Sequence, residues 1–245
     1  KIKIKNNTLE ITSTNKPSYF AKYELVKTMR AGILVIGPLL AKFNMAKVSL
    51  PGGCAIGARP VDIHLDFLSK IGYENKVVKG YVVSKKKFSK NKISFFFKKI
   101  SVGATETAIL SSCLSSKEVK LINIAIEPEV IDLINFLNRS GTNIKFIAKR
   151  SLIIKGVKNL RGLKYQIMPD RIEAGTYMVA SAITNSPLIL KNISVVHLKN
   201  IINIFKKIGL NIKILSDRSL KVLPGRLKSI RIKTVPYPGF PTDMQ

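Results

Sequence analysis

The sequence predicts an α/β fold of stacked repeats, and three observations carry that prediction. Three amphipathic segments end in glycine, RPVDIHLDFLSKIG at Gly72, EPEVIDLINFLNRSG at Gly141 and VVHLKNIINIFKKIG at Gly209, spaced 69 and 68 residues apart. A short apolar strand precedes each segment, and a run of small residues precedes each strand. After each glycine another strand follows, clearest in NIKFIAKRSLIIKGV and NIKILSDRSLKVL. The unit is therefore helix, strand, helix, then paired strands.

Taken in order, KIKIKNNTLEIT alternates like a strand and reads as the tail of an earlier unit. The small-residue runs RAGILVIGPLLAKF, VGATETAILSSCLS and RIEAGTYMVASAIT predict closely packed, buried helices, with Cys113 in the second of them as core. The strands KVSL, KLINIAI and LILKNI come next. Each glycine-ended helix has one apolar face. The faces are Val61, Leu65, Leu68 and Ile71, then Val130, Leu133, Ile134 and Leu137, then Leu198, Ile201, Ile202, Phe205 and Ile208. The terminal glycines fit the position just past a helix end, where a positive φ is wanted. Glu127 with Pro128 starts the second of these helices. His64, on the first, is expected to pack or cap rather than to catalyse. PGFPTDMQ falls where a fourth unit begins.

The formal net charge is +28, which by itself points to nucleic acid. Yet 33 of the 42 basic residues are lysine, and Ile and Asn are also plentiful, a bias that AT-rich codons produce without a partner. In the densest basic run, KKKFSKNKISFFFKK, the consecutive Phe95, Phe96 and Phe97 alternate faces on a strand and form no single stacking platform. No nucleic-acid partner is therefore expected. No apolar run reaches the length of a membrane span, and no apolar signal-peptide core opens the chain, so no membrane association is expected either. Two cysteines, Cys54 and Cys113, are too few for a disulfide scaffold and lack metal-ligand spacing. A cytoplasmic location and no metal are the expectation.

Residues Pro51 to Asp62 read PGGCAIGARPVD. Glycines let this backbone bend and approach a ligand, Pro60 suits a helix start, and Asp62 falls in that helix's first turn. A thiol, a guanidinium and a helix N-terminus are thereby close together. That is either an anion-binding reactive site or a glycine-rich turn.

PGGCAIGARPVDIH, KISVGAT, IEPEVID, MPDRIEAGT and PGFPTDMQ together resemble the bacterial UDP-N-acetylglucosamine 1-carboxyvinyltransferases, enolpyruvyl transferases of the EPSP synthase-like family. The motifs keep the family's order and spacing from about Tyr23 to Gln245. The related shikimate-pathway transferases share the fold but lack the cysteine loop, so Cys54 discriminates. The resemblance implies two domains, each an inside-out α/β barrel of β-α-β-α-β-β units. It implies a first domain over residues 1–168 and the opening of a second over 169–245. It also implies enolpyruvyl transfer from phosphoenolpyruvate to the 3′-hydroxyl of UDP-N-acetylglucosamine, with release of phosphate, at the start of peptidoglycan synthesis. No cofactor is implied, and the expected partners are these two small molecules, with the chain a monomer.

On the same resemblance Cys54 is the acid that protonates the vinyl carbon and forms a thiol adduct, and Asp243 is the base at the sugar hydroxyl. Asp243 also suits a helix start. Arg30 and Arg59 hold phosphate and carboxylate groups through planar donor forks. Pro60, Val61, Asp62 and Ile63 resemble the segment that binds uridine diphosphate, and Lys99, Ile100, Ser101, Val102 and Gly103 a second nucleotide-binding strip. Asp170 and Arg171 resemble a motif at the domain junction, with an internal ion pair as the other explanation. Two departures stand out: FIAKR replaces a Gly-rich hairpin, and Gly32 stands where serine is usual. The family's opening Lys-Asn pair has no counterpart in KIKIKNN, so the chain reads as a fragment lacking both ends. The alternative is an inactive remnant with a basic, RNA-binding surface.

Overall fold

The computed structural model describes residues 1–13, 18–50, 61–88 and 92–244, apart from the side chain of Arg30. Strands β1 (Ile2–Lys5) and β2 (Thr8–Ile11) form an exposed antiparallel hairpin, as the alternation predicts. The first full repeat is β3 (Phe20–Ala21), the short helix α1 (Tyr23–Val26), a 3-10 segment (Arg30–Val35) running into α2 (Ile36–Phe43), β4 (Met45–Ser49), α3 (Asp62–Lys70), β5 (Tyr73–Val78) and β6 (Tyr81–Lys86). The second is β7 (Lys92–Phe96), α4 (Val102–Ser112), β8 (Glu118–Ile122), α5 (Pro128–Arg139), β9 (Asn143–Ala148) and β10 (Ser151–Lys155). The third comprises α6 (Arg171–Ile183), β11 (Leu188–Lys191), α7 (Val195–Ile208), β12 (Asn211–Ser216) and β13 (Ser219–Leu223).

The sheets carry one strand order. They run β3-β4-β6-β5, β7-β8-β10-β9 and β11-β13-β12. In the first two sheets the leading pair is parallel and the other pairs are antiparallel. Parallel neighbours need a crossover connection, and a helix between β3 and β4, or between β7 and β8, supplies it. The second and third hairpins each carry one register shift, at Ser151/Leu152 and at Ile214/Ser216. The glycines that mark the period have φ of +102°, +115° and +112° at Gly72, Gly141 and Gly209. A side chain there would meet the steric penalty of the left-handed region, so the repeat glycine is a backbone requirement.

Two expectations need correction. RAGILVIGPLLAKF is not α-helical throughout. Residues Arg30–Val35 are 3-10 and the α-helix begins at Ile36. Pro38 has no N–H and its ring crowds the carbonyl four residues back, so it belongs in an α-helix's first turn and not deeper. The buried face of α3 is also rotated. His64, Phe67 and Leu68 are buried with Ile71, whereas Leu65 is half-buried, because His64 finds a polar partner inside.

Contacts divide the chain into two compact units, Lys1–Asn123 with Gly141–Arg161, and Ile124–Ser140 with Gly162–Gln245. Helix α5 thus belongs with the second unit, although its neighbours in sequence, β8 and β9, belong to the first. In the first unit α2 packs closely on α4. A Cβ at Gly37 would stand 2.8 Å from Leu110 Cβ and 3.2 Å from the Thr107 carbonyl. The Phe run alternates as expected: Phe96 is exposed, while Phe95 stacks edge-on against both Phe67 and Phe97, at 5.3 and 4.9 Å. In the second unit α6 and α7 close over β11, β12 and β13 around Met178, Leu198, Phe205, Leu220 and Val222.

Candidate active site

In the first unit the candidate residues collect where helices begin. Strand β4 ends at Ser49, and Leu50 N–H donates to Gly80 O at 2.8 Å. Cys54, Arg59 and Pro60 follow and lie outside the described residues. Helix α3 then opens at Asp62, whose carboxylate is exposed in the first turn, with Val61 as its N-cap and Ile63 half-buried. Val61 has no polar side chain, and it makes no side-chain cap to α3.

The second strip starts where β7 gives way to α4. Lys99 is exposed and Ile100 half-buried. Ser101 is the N-cap of α4: its Oγ accepts from Ala104 N–H at 3.3 Å, and Thr105 Oγ1 donates to its carbonyl at 2.7 Å. Val102 and Gly103 form the first turn. A Cβ at Gly103 would stand 3.3 Å from His64 Cε1 and 3.8 Å from Leu34 Cδ2. His64 completes the junction, its Nδ1 2.8 Å from Thr107 Oγ1. Thus the segment opened by Arg30, the start of α3 and the start of α4 are brought together. The helix starts at Asp62 and Val102 lie side by side there, and helix N-termini favour anions. His64 is a packed histidine that joins two of these helices, as expected of it.

The second unit holds the remaining candidates. Asp170 is the N-cap of α6, its Oδ1 accepting from Ile172 N–H at 2.7 Å and Glu173 N–H at 3.1 Å. Arg171 is buried and engages Glu129 through Nε at 2.9 Å and a second guanidinium nitrogen at 3.5 Å. Its guanidinium also lies over the Tyr237 ring, 5.6 Å from the centroid. The ion-pair explanation of Asp170-Arg171 therefore has its partner in Glu129. Asp243 sits exposed in the 3-10 turn Thr242–Met244, and Phe240 just before it is buried against Phe205. A lone thiol outside this constellation, Cys113, is buried, donates to Leu110 O at 3.0 Å, and burial pushes its pKa up to about 11.

The partners of three residues escape sequence reasoning: Thr107, which meets His64, Glu127, which starts a helix as expected but also meets Tyr237 N–H, and Glu129, which meets Arg171. The available signal was the EPE run itself. Two carboxylates flank a proline there, and only one is needed in the first turn of a helix. Among the described residues no group of His, Cys, Asp and Glu is arranged to hold a metal.

The comparisons with known proteins follow this geometry. The family model described as EPSP synthase (3-phosphoshikimate 1-carboxyvinyltransferase) matches residues 1–245. A UDP-N-acetylglucosamine 1-carboxyvinyltransferase of Pelagibacter ubique is 53% identical over 237 residues, covering 97% of this chain and 57% of the relative. One from Campylobacter hominis is 44% identical over 244 residues, 99% of this chain and 58% of the relative. The chain thus spans a little over half the length of the curated relatives it matches. Among solved structures, the enolpyruvyl transferase NikO from Streptomyces tendae superposes with a TM-score of 0.76 at 19% identity, over 93% of this chain and 55% of that one. EPSP synthase from Acinetobacter baumannii gives 0.59 at 15% identity, over 83% and 48%. The shared strand order, the cysteine loop's neighbours and a match along the whole chain lead to one conclusion: the chain belongs to the EPSP synthase (3-phosphoshikimate 1-carboxyvinyltransferase) family.

Proposed function

We propose that the protein serves the transfer of the enolpyruvyl group of phosphoenolpyruvate to the 3′-hydroxyl of UDP-N-acetylglucosamine, the opening reaction of peptidoglycan synthesis. The observation that carries the reading is 53% identity to a relative bearing that name, with PGGCAIGARP intact in the sequence. In the addition step the sugar oxygen bonds to C2 of phosphoenolpyruvate while C3 gains a proton. In the elimination step C3 loses a proton, the C2–phosphate bond breaks, and the vinyl group re-forms on the sugar ether. Neither step changes an oxidation state, so residues that move protons and hold anions suffice.

The proposed roles follow that chemistry. Cys54 is the acid at C3 and Asp243 the base at the hydroxyl. Arg30 and Arg59 hold the phosphate and carboxylate of phosphoenolpyruvate. The turns around Asp62 and Ser101 take the uridine diphosphate, which suits two adjacent helix starts. The two domains, 1–168 and the part from 169, are inside-out barrels of β-α-β-α-β-β units, the order the first two repeats display. The protein works in the cytoplasm as a monomer, without metal or cofactor. No helix among the described residues is long and apolar enough to cross a membrane.

The test is phosphate release with phosphoenolpyruvate and either UDP-N-acetylglucosamine or shikimate 3-phosphate as acceptor. Release is expected with the sugar nucleotide alone. Turnover of shikimate 3-phosphate, or of neither acceptor, would overturn the reading.

A further inference from the structure

Glu127 is 6% exposed and stands at the N-cap of α5, yet its side chain caps nothing. Its Oε1 instead accepts the Tyr237 N–H, 110 residues away in sequence, at 3.2 Å. Its Oε2 is buried with no partner among the described residues. A buried carboxyl with one neutral donor and one oxygen without a partner is a cost to the fold, since a buried polar atom left unpaired keeps its desolvation penalty. The helix start does not need it, because Pro128 already fills N1 and Glu129 already places an acid in the first turn. The hydrogen bond its carboxylate does make is to the segment that leads to Asp243.

That segment is held at several points. Val235 N–H donates to Phe240 O at 3.1 Å and Gly239 N–H to Pro236 O at 2.9 Å, closing a tight loop. Phe240 is buried, and Met244 packs onto Gly175 of α6. Arg171, clamped by Glu129, covers the Tyr237 ring. Without Glu127 the Tyr237 N–H would lose its acceptor at the start of α5, six residues before Asp243. We infer that Glu127 is a positioning residue: through the Tyr237 N–H it fixes the turn that presents Asp243. The inference rests on Asp243 as the base of the proposed reaction.

The test uses Glu127→Ala and Glu127→Gln, the latter keeping an oxygen that can accept the Tyr237 N–H. Peptide-level hydrogen exchange should be faster over residues 235–244 in Glu127→Ala, unchanged in α6 and α7, and restored in Glu127→Gln. Thermal unfolding of Glu127→Ala should be at or above the parent value, because a buried oxygen without a partner is gone. In phosphate release, Glu127→Ala should lower kcat by about tenfold or more with little change in KM for phosphoenolpyruvate, and should cost nothing further in an Asp243→Ala background. Unchanged exchange over 235–244, or faster exchange throughout α6 and α7 with a lower Tm, would overturn the inference. So would an additive loss in the double variant. Absence of phosphate release from the parent protein would overturn the activity and not the anchoring, which the exchange data decide by themselves.

Discussion

At the scale of single residues, two thiols in one chain are expected to behave oppositely. Cys113 is buried, bonded to Leu110 O, and pushed up to about 11, so it carries almost no thiolate near neutral pH. Cys54, as the proposed acid, between glycines in the sequence and five residues before Arg59, should be the reactive one. Alkylation of the native protein, read by peptide mass spectrometry, should therefore label Cys54 and spare Cys113, and should end turnover. Cys54→Asp should resist the reagent while keeping turnover, since a carboxyl can also deliver a proton. The same burial has a signature in alkaline solution. Tyr73, which donates to Leu40 O at 3.1 Å, is raised by burial from 10.0 to about 12, and Cys113 from 9.0 to about 11. Both folded-state values lie above the unfolded ones, so the folded state keeps these protons longer. Their stabilisation is complete below pH 9 and is lost as pH rises towards 12. Urea midpoints measured stepwise over that range should fall, and Tyr73→Phe should flatten the upper part of the decline.

At the scale of elements, the repeat was legible because its markers are local. A glycine at positive φ, a helical apolar period and a following strand each depend on neighbouring residues. The misreadings were local too, but were decided by distant partners: Leu65 yielded its place to His64 because Thr107, 43 residues on, faces it. Small residues in the runs were read as signs of close packing, and Gly37 shows why. In Gly37→Ala the gain in helix propensity, about 1 kcal/mol, opposes an overpacking cost of about 1 to 3 kcal/mol. The atoms met are Leu110 Cβ and a backbone carbonyl, neither of which can swing aside, so overpacking should win. A lower urea midpoint is expected, with a net loss of up to about 2 kcal/mol.

At the scale of the whole molecule, a net charge of +28 surrounds a proposed pair of anionic substrates. Such a field raises encounter rates and is screened by salt. Steady-state kinetics should show kcat/KM for phosphoenolpyruvate falling several-fold as ionic strength rises from about 20 to about 500 mM, with kcat much less affected. A flat response would mean that the lysine excess reflects composition alone.

The sequence by itself determined the repeat, its helices and strands, the class of fold and the family, because these rest on periodicity and on motifs of adjacent residues. Through resemblance it also named Cys54, Asp243, Arg30 and Arg59 as the residues of the proposed reaction. Only the tertiary structure decided that His64 meets Thr107, which acid pairs with Arg171, and that Glu127 reaches Tyr237. Those pairings span 42 to 110 residues. They arise from the packing of separate elements on one another, and no local pattern encodes a partner across such a distance.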